Sequence, residues 1–204
     1  MHLWRERLSR WLLPIARRIP PSPNGITLVA LALNLIGAWL LVLGDRRPWS
    51  FLAAIVFVAI GGFADALDGI VARLRQKQSR FGDFLDHVCD RISDTALVAC
   101  WMIGNDVRQA LAFAAIILIM LNGYLGTQIE ATFRERNYES IGRGEFVLAM
   151  VIFPIVSFIL FTNGWNALAF AGATVAEWLT VLLVAFAVFG VTQRFAQARR
   201  MDCS

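Results

Sequence analysis

The sequence predicts an all-α integral membrane protein: six transmembrane helices preceded by an N-terminal interfacial amphipathic helix. Three observations carry this prediction. Of the 204 residues 58% are hydrophobic, only 17% are charged, and apolar runs recur along the chain with short polar breaks between them. We expect residues 1–22 to form the interfacial helix and residues 23–204 to form one six-helix domain.

The N-terminal segment has its apolar side chains at helical spacing. Trp4, Leu8, Trp11 and Ile15 share one face, and most arginines of the segment lie elsewhere on the helical wheel. This pattern is typical of a helix that lies on anionic lipid headgroups, and the interleaved arginines do not fit a removable secretory signal. The alternative is a solvated basic tail before the first span.

The six expected spans follow in order, separated by turn-forming residues. They lie at residues 24–43, 51–74, 82–103, 109–133, 146–162 and 167–193. Each is near the roughly 20 residues that a bilayer requires, except a shorter fifth. Sequences such as SPNG, GDRRPW, GND and TNGWN mark the breaks.

Basic residues are distributed unevenly about these spans. At one end of the bundle the only basic residues are Arg46, Arg47 and Arg108, and Arg91 lies inside the third span. The single lysine and all the other arginines fall at the opposite end. The positive-inside rule therefore predicts a multi-pass protein of the cytoplasmic (inner) membrane, with both termini and the aspartate-rich segment cytoplasmic.

That segment reads DALDGIVARLRQKQSRFGDFLDHVCD. Asp65 and Asp68 are three residues apart, and Asp86 and Asp90 are four apart, so each pair shares one face of its helix. An ionised carboxylate in hydrocarbon costs at least about 2.5 kcal/mol, and four close together repel one another. Divalent cations remove that cost, and ligation by oxygen alone suits Mg²⁺ or Mn²⁺.

Neighbouring residues suggest what the metal would help to bind. Gly69 and Gly82 leave room for a ligand to approach the backbone, and Arg73 offers a planar fork that matches phosphate oxygens. Together these features indicate a pyrophosphate substrate. The alternative is a polar helix hairpin held by ion pairs between the aspartates and the nearby basic residues.

The pattern Asp65-x-x-Asp68-Gly69-x-x-Ala72-Arg73, eight residues, Gly82-x-x-x-Asp86-x-x-x-Asp90 resembles the complete signature of the CDP-alcohol phosphatidyltransferases. The resemblance implies that an alcohol attacks the phosphorus next to the lipid part of a CDP-linked donor, releasing CMP, in phospholipid biosynthesis. It also implies two Mg²⁺ or Mn²⁺ ions held by the four aspartates, with Asp90 also acting as base on the attacking hydroxyl.

The same resemblance implies the other binding partners. The donor would be CDP-diacylglycerol or a related CDP-lipid and the acceptor a polar alcohol, in contact with membrane lipids and without nucleic acid; a homodimer is also suggested. The residues implied to line the CDP-lipid pocket are Asn24, Gly25, Ile26, Thr27, Asp65, Asp68, Gly69, Ala72, Arg73, Ser79 and Gly82. For Asn24 and Thr27, the alternative is a role as helix caps.

Three further polar residues lie beside the signature and are expected to support it. Asp83 is expected to cap the first turn of the third helix, and Asp94 to pair with Arg91 or to support the metal ligands. His87 should face a neighbouring helix, because one residue turns a helix by about 100° away from Asp86.

The choice of acceptor is less determined. The runs around Ser79 and Cys89 resemble bacterial phosphatidylinositol-phosphate synthases, but Gly126 and Phe146 stand where those enzymes have a lysine and an arginine, while Arg194 matches another arginine. A pocket short of cations favours an uncharged or zwitterionic alcohol. The candidate acceptor-binding residues are Gln128, Glu130, Arg143 and Arg194, and for Gln128 and Glu130 the alternative is bonding between helices.

Two other functions use the same features. The signature also serves enzymes that transfer phosphocholine or phosphoethanolamine from a CDP-amino alcohol to a diacylglycerol. A divalent-cation transporter would also place acidic residues in the membrane, but it needs a polar path to the far side, and stretches such as LALNLIGAWLLVL are apolar.

Overall fold

The computed structural model describes residues 22–74, 79–133 and 143–202, and this part of the chain forms six α-helices and one short hairpin. The helices are α1 Pro23–Val42, α2 Trp49–Leu74, α3 Arg80–Gly104, α4 Gln109–Phe133, α5 Arg143–Thr162 and α6 Val175–Asp202. A 3₁₀ turn, Leu43–Asp45, follows α1, and β1 Ala169–Phe170 pairs antiparallel with β2 Ala173–Thr174. The predicted interfacial helix at residues 1–22 lies, except for Ser22, outside the described residues.

The six helices occur where the sequence predicts them, and the largest differences are at the two ends of the sixth, which continues to Asp202 and does not stop at residue 193. It begins at Val175 and not near residue 167, because the hairpin occupies the residues before it. Thr174 and Glu177 form a capping box: Thr174 Oγ1 accepts a hydrogen bond from the Glu177 amide at 3.2 Å, and Glu177 Oε2 accepts one from the Thr174 amide at 2.9 Å.

Four of the six helices are long and apolar enough to cross a bilayer. They are Pro23–Asp45 including the 3₁₀ turn, Trp49–Ala72, Gln109–Phe133 and Val175–Asp202. The apolar part of α5, Leu148–Thr162, is shorter, and α3 carries five charged residues before residue 95: Asp83, Asp86, Asp90, Arg91 and Asp94. The protein is therefore an integral membrane protein, and passage of α3 and α5 across the bilayer stays a prediction.

The packing order follows from a few contacts. Thr27 of α1 meets Asp68 of α2, and Gly37 lies against Ala54, so α1 and α2 run antiparallel. Asn34 of α1 meets Ser93 of α3. Gly104 of α3 packs directly against the Leu41 carbonyl, so a side chain at position 104 would have no space. Because later residues of α1 contact later residues of α3, these two helices run parallel. Helix α4 packs mainly on α6 and also on α3.

The larger apolar core lies at the end of the bundle remote from the aspartates. Leu41, Phe51, Trp101 and Met150 are almost completely buried there, and Trp101 Nε1 donates a 3.0 Å hydrogen bond to Ser157 Oγ. A smaller cluster of Leu67, Ile70 and Val71, with Ile26 of α1 packed against it, lies at the aspartate end of α2. The larger core thus holds the helices together at one end, and the smaller cluster joins α1 and α2 at the other.

Candidate active site

Three of the four signature aspartates come together at the junction of α2 and α3. Asp65, Asp68 and Asp86 each offer a carboxylate oxygen within 4.8 Å of the others. Asp68 is buried, and Asp65 and Asp86 are half-buried. Asp90, which is buried one turn further along α3, is not a member of this close set. The donor set is all oxygen and converges on one point, so it fits a hard divalent cation.

Helix α1 contributes a direct contact to this cluster. Thr27 Oγ1 donates a hydrogen bond of 2.6 Å to Asp68 Oδ2, while Ser22 caps the helix by accepting from the Gly25 amide at 3.3 Å. The capping interpretation of Asn24 and Thr27 is therefore wrong. Thr27 serves the carboxylate cluster instead, through a contact between residues 41 positions apart in the chain.

A second group of predicted donor-pocket residues gathers at the start of α3. Ser79 Oγ caps the helix by accepting from the Gly82 amide at 2.9 Å. A Cβ placed on Gly82 would lie 3.1 Å from Ser79 Oγ and 3.2 Å from Asn24 Oδ1, so α1 and α3 meet closely there. The N-cap is Ser79, and Asp83 is the acidic residue of the first turn, where its charge favours the positive end of the helix dipole.

Gly69, by contrast, borders open space. No described atom outside its own helix lies within 4 Å of where its Cβ would stand, and the residue is exposed. Ala72 and Arg73 follow within one turn at the end of α2. The surface beside the aspartates is thus open where the sequence analysis places the phosphates of a donor.

Two arginines from different helices meet on a glycine face of α4. A Cβ on Gly123 would overlap the guanidinium of Arg91, and a Cβ on Gly126 would overlap that of Arg194. Arg194 Nε donates a 2.6 Å hydrogen bond to Asn122 Oδ1, and the charge of Arg91 acts on Arg194. The two guanidinium groups therefore lie about one turn apart on the same face of α4.

This pair changes the interpretation of Gly126. The lysine expected there is absent, but the guanidinium of Arg194 occupies the space beside Gly126, so this chain still presents a cation at that place. Arg91 forms the predicted ion pair with Asp94 at 3.4 Å, and its Nε atom is buried without a hydrogen-bond partner among the described residues. Phe146 packs against the apolar core, and Arg143 is the first residue of α5.

The structure separates Gln128 from Glu130. Gln128 is exposed, donates to Thr132 Oγ1 of its own helix at 3.3 Å and lines a cavity of about 140 Å³ together with Arg194 and Phe195. Glu130 lies instead near Asp83 and His87 of α3, because two residues turn a helix by about 200°. The two residues cannot act on one acceptor atom. His87 faces the neighbouring helix as predicted.

Two contacts were not predicted from the sequence: the hydrogen bond from Thr27 to Asp68 and the proximity of Arg91 to Arg194. The available signal for the second was Gly123-x-x-Gly126, two glycines one turn apart that leave one face of α4 open. Nothing local in the sequence connects that face with Arg194, which is 68 positions later than Gly126.

Comparisons with known proteins show the family of the chain. The family model for CDP-alcohol phosphatidyltransferase matches residues 21–191. An archaetidylinositol phosphate synthase of Aeropyrum pernix is 31% identical over 188 residues, covering 88% of this chain and 89% of that protein. The Pyrococcus horikoshii protein of the same name is 35% identical, but the match covers only about half of either chain: 47% of this one and 48% of the relative.

Solved structures show the same fold. A Mycobacterium tuberculosis phosphatidylinositol phosphate synthase with CDP-DAG bound superimposes with a TM-score of 0.68 at 25% identity, over 93% of this chain and 94% of that one. The same enzyme in complex with manganese and citrate gives a TM-score of 0.66 at 24% identity, over 95% and 88%.

Proposed function

The chain belongs to the CDP-alcohol phosphatidyltransferase family and is an enzyme of that class; from this premise we propose that it transfers a phosphatidyl or related lipid-phosphate group from a CDP-lipid to a polar alcohol. The observation that carries the proposal is the convergence of Asp65, Asp68 and Asp86 beside the open surface at Gly69. That arrangement provides a metal site with space for a pyrophosphate next to it.

We assign Mg²⁺ or Mn²⁺, as two ions, to Asp65, Asp68, Asp86 and Asp90. When bound, the ions neutralise the charge that develops on the pyrophosphate and make CMP a better leaving group. Thr27 holds Asp68 in place through its 2.6 Å hydrogen bond. The structural neighbour with manganese supports a metal of this kind.

The donor would lie along the surface between α1 and the start of α3. Asn24, Ser79 and Gly82 meet there, Gly25, Ile26 and Thr27 follow on α1, and Gly69, Ala72 and Arg73 border it from α2. The planar guanidinium of Arg73 suits the phosphate oxygens of the donor. The structural neighbour with CDP-DAG bound supports a donor of this class.

In the transfer step, the Asp90 carboxylate takes the proton of the acceptor hydroxyl. The acceptor oxygen forms a bond to the phosphorus that carries the lipid, and the bond from that phosphorus to the CMP oxygen breaks. A phosphodiester lipid and CMP result. Asp90 is buried one turn from Asp86, so the base would lie next to the carboxylates that would hold the ions.

We propose a phosphorylated polyol as the acceptor, contrary to the expectation of an uncharged alcohol. The physical reason is the pair of Arg91 and Arg194, which places two guanidinium groups together on the glycine face of α4. Two fixed cations can replace much of the water around a phosphomonoester. The names of the two archaeal relatives, both archaetidylinositol phosphate synthases, support the same class.

We also propose that the carboxylate end of the bundle and both termini face the cytoplasm and that the protein forms a homodimer. The first proposal rests on the uneven distribution of basic residues, since the end remote from the aspartates has only Arg46, Arg47 and Arg108.

The decisive experiment incubates the purified protein with CDP-diacylglycerol, Mg²⁺ or Mn²⁺ and a panel of alcohols and alcohol phosphates. CMP release together with formation of a phosphodiester lipid supports the proposal. CMP release only from CDP-choline or CDP-ethanolamine with diacylglycerol as acceptor would assign the other activity of the family.

A further inference from the structure

A second group of metal-ligating side chains lies at the same end of the bundle but apart from the signature. Asp83 in the first turn of α3, His87 one turn later and Glu130 in the last turn of α4 each offer a ligand atom within 4.8 Å of the others. None of the three belongs to the Asp65, Asp68 and Asp86 set. We propose that Asp83, His87 and Glu130 form a separate binding site for a transition-metal ion such as Zn²⁺.

The donor types decide which ion the site would prefer. An imidazole with two carboxylates suits Zn²⁺, Co²⁺, Ni²⁺ or Cu²⁺, whereas Mg²⁺ prefers oxygen donors alone. Asp83 is exposed, while His87 and Glu130 are half-buried, so water can complete the coordination from the open side. The two metal sites therefore differ in the ions that they select.

The register of α3 against α4 brings the three residues together. Arg91 lies against Gly123, and Thr95 Oγ1 donates a 2.8 Å hydrogen bond to Met120 Sδ, so the two helices run antiparallel. His87 and Asp83 lie one and two turns before Arg91 on α3. Glu130 lies two turns after Gly123 on α4, so it reaches the level of His87 and Asp83. Contacts elsewhere along both helices thus hold the ligands in position.

A bound ion would connect α3 and α4 at a functionally sensitive place. His87 is adjacent to Asp86, and Arg91 is one turn further along the same helix. An ion that binds the folded state and not the unfolded chain stabilises the folded state by mass action. We therefore expect it to raise the unfolding temperature of the protein even when Mg²⁺ is saturating.

The chain offers a clean spectroscopic test, because it has only two histidines, His2 and His87. The full-length protein, freed of any affinity tag, is prepared as the His2→Ala variant in detergent with saturating Mg²⁺ and one equivalent of Cu²⁺. In this variant, electron spin-echo envelope modulation from the imidazole nitrogen of a Cu²⁺-bound histidine can come only from His87. The proposal requires this modulation in His2→Ala. If the modulation is absent in this variant, in which all three proposed ligands are intact, the proposal is wrong.

Titrations with Co²⁺ and Zn²⁺ give the second measurement. We expect His87→Ala and Glu130→Gln to weaken binding tenfold or more, and Asp106→Asn, an exposed carboxylate variant in the α3–α4 loop, to leave binding unchanged. Loss of Co²⁺ and Zn²⁺ binding in Asp68→Asn, with no change in His87→Ala, would place the ions at the signature carboxylates and contradict the proposal.

Discussion

The Thr27 hydroxyl and the Asp68 carboxylate are joined by a hydrogen bond of 2.6 Å in the interior of the bundle. Thr27 also donates to the Pro23 carbonyl at 3.2 Å, so the hydroxyl is shared between its own helix and the carboxylate. The contact fixes α1, which carries part of the proposed donor surface, to the proposed metal site on α2. A change on α1 is therefore expected to affect the carboxylate cluster.

Replacement of Thr27 by valine keeps the shape of the side chain and removes the donor. A hydrogen bond to a charged group contributes about 1.5–3 kcal/mol, so we expect the variant to lose roughly ten- to hundredfold in affinity for Mn²⁺ or in kcat/KM. Thr27→Ser is the matched control and should retain most of both. If Thr27→Val binds Mn²⁺ and turns over like the wild type, the hydroxyl has no role at the site.

Removal of a carboxylate tests the metal assignment. Asp68→Ala or Asp86→Ala should abolish transfer while the protein remains folded, because loss of one ligand prevents metal binding but also relieves repulsion between the carboxylates. Circular dichroism and the unfolding temperature show whether the fold persists. Wild-type turnover of either variant at limiting Mg²⁺ would remove the assignment.

Asp90 can be tested separately from the other three aspartates. Asp90→Asn cannot accept the hydroxyl proton, and we expect it to lose turnover while keeping measurable affinity for the CDP-lipid. Donor binding is measured by calorimetry and turnover by CMP release. Unchanged turnover would exclude Asp90 as the base.

The proposed acceptor class depends on Arg194. In the wild type we expect a higher kcat/KM for inositol phosphate than for inositol at fixed donor and metal. Arg194→Gln should lower the value for inositol phosphate by roughly ten- to hundredfold and change that for inositol much less. Arg199→Gln, on the exposed last turn of α6, is the control.

The opposite result is equally informative. A wild-type preference for inositol over inositol phosphate would show that the Arg91 and Arg194 pair does not hold the acceptor. It would restore the uncharged alcohol that Gly126 and Phe146 suggest on sequence grounds.

Gly104 tests the packing of α1 on α3. A Cβ added at position 104 would overlap the backbone carbonyl of Leu41, which cannot move away as a flexible side chain could. Gly104→Ala should therefore lower the free energy of unfolding by about 1–3 kcal/mol. Gly62→Ala, where no atom outside the helix lies within 4 Å, is the control and should be neutral or slightly stabilising. Equal unfolding temperatures for the two variants would contradict this packing.

The helices and the pairing of the aspartates on their helices were predictable because their signals are local. Helical apolar runs mark the helices, and spacings of three and four residues place Asp65 with Asp68 and Asp86 with Asp90. The later start of α6 also had a local signal, the Thr174 and Glu177 capping box, which the apolar pattern around it obscured.

The acceptor region was not predictable, because its contacts join distant parts of the chain. Arg194 reaches Asn122 and Gly126 only when α6 packs along α4. Gln128 and Glu130 read as one polar pair in the sequence, but the turn of the helix points them to different neighbours. The residue types in the sequence do not show which helix brings a cation into a space between helices.

The glycine face of α4 gives Arg194 its place, because without a side chain at position 126 the guanidinium fills the space there. A larger residue at position 126 would have to displace that guanidinium. The charge near Gly126 is therefore set by two positions together, and an aligned column for position 126 alone underestimates the positive charge at this place in the chain. Acceptor preference should be compared by the location of charge in space.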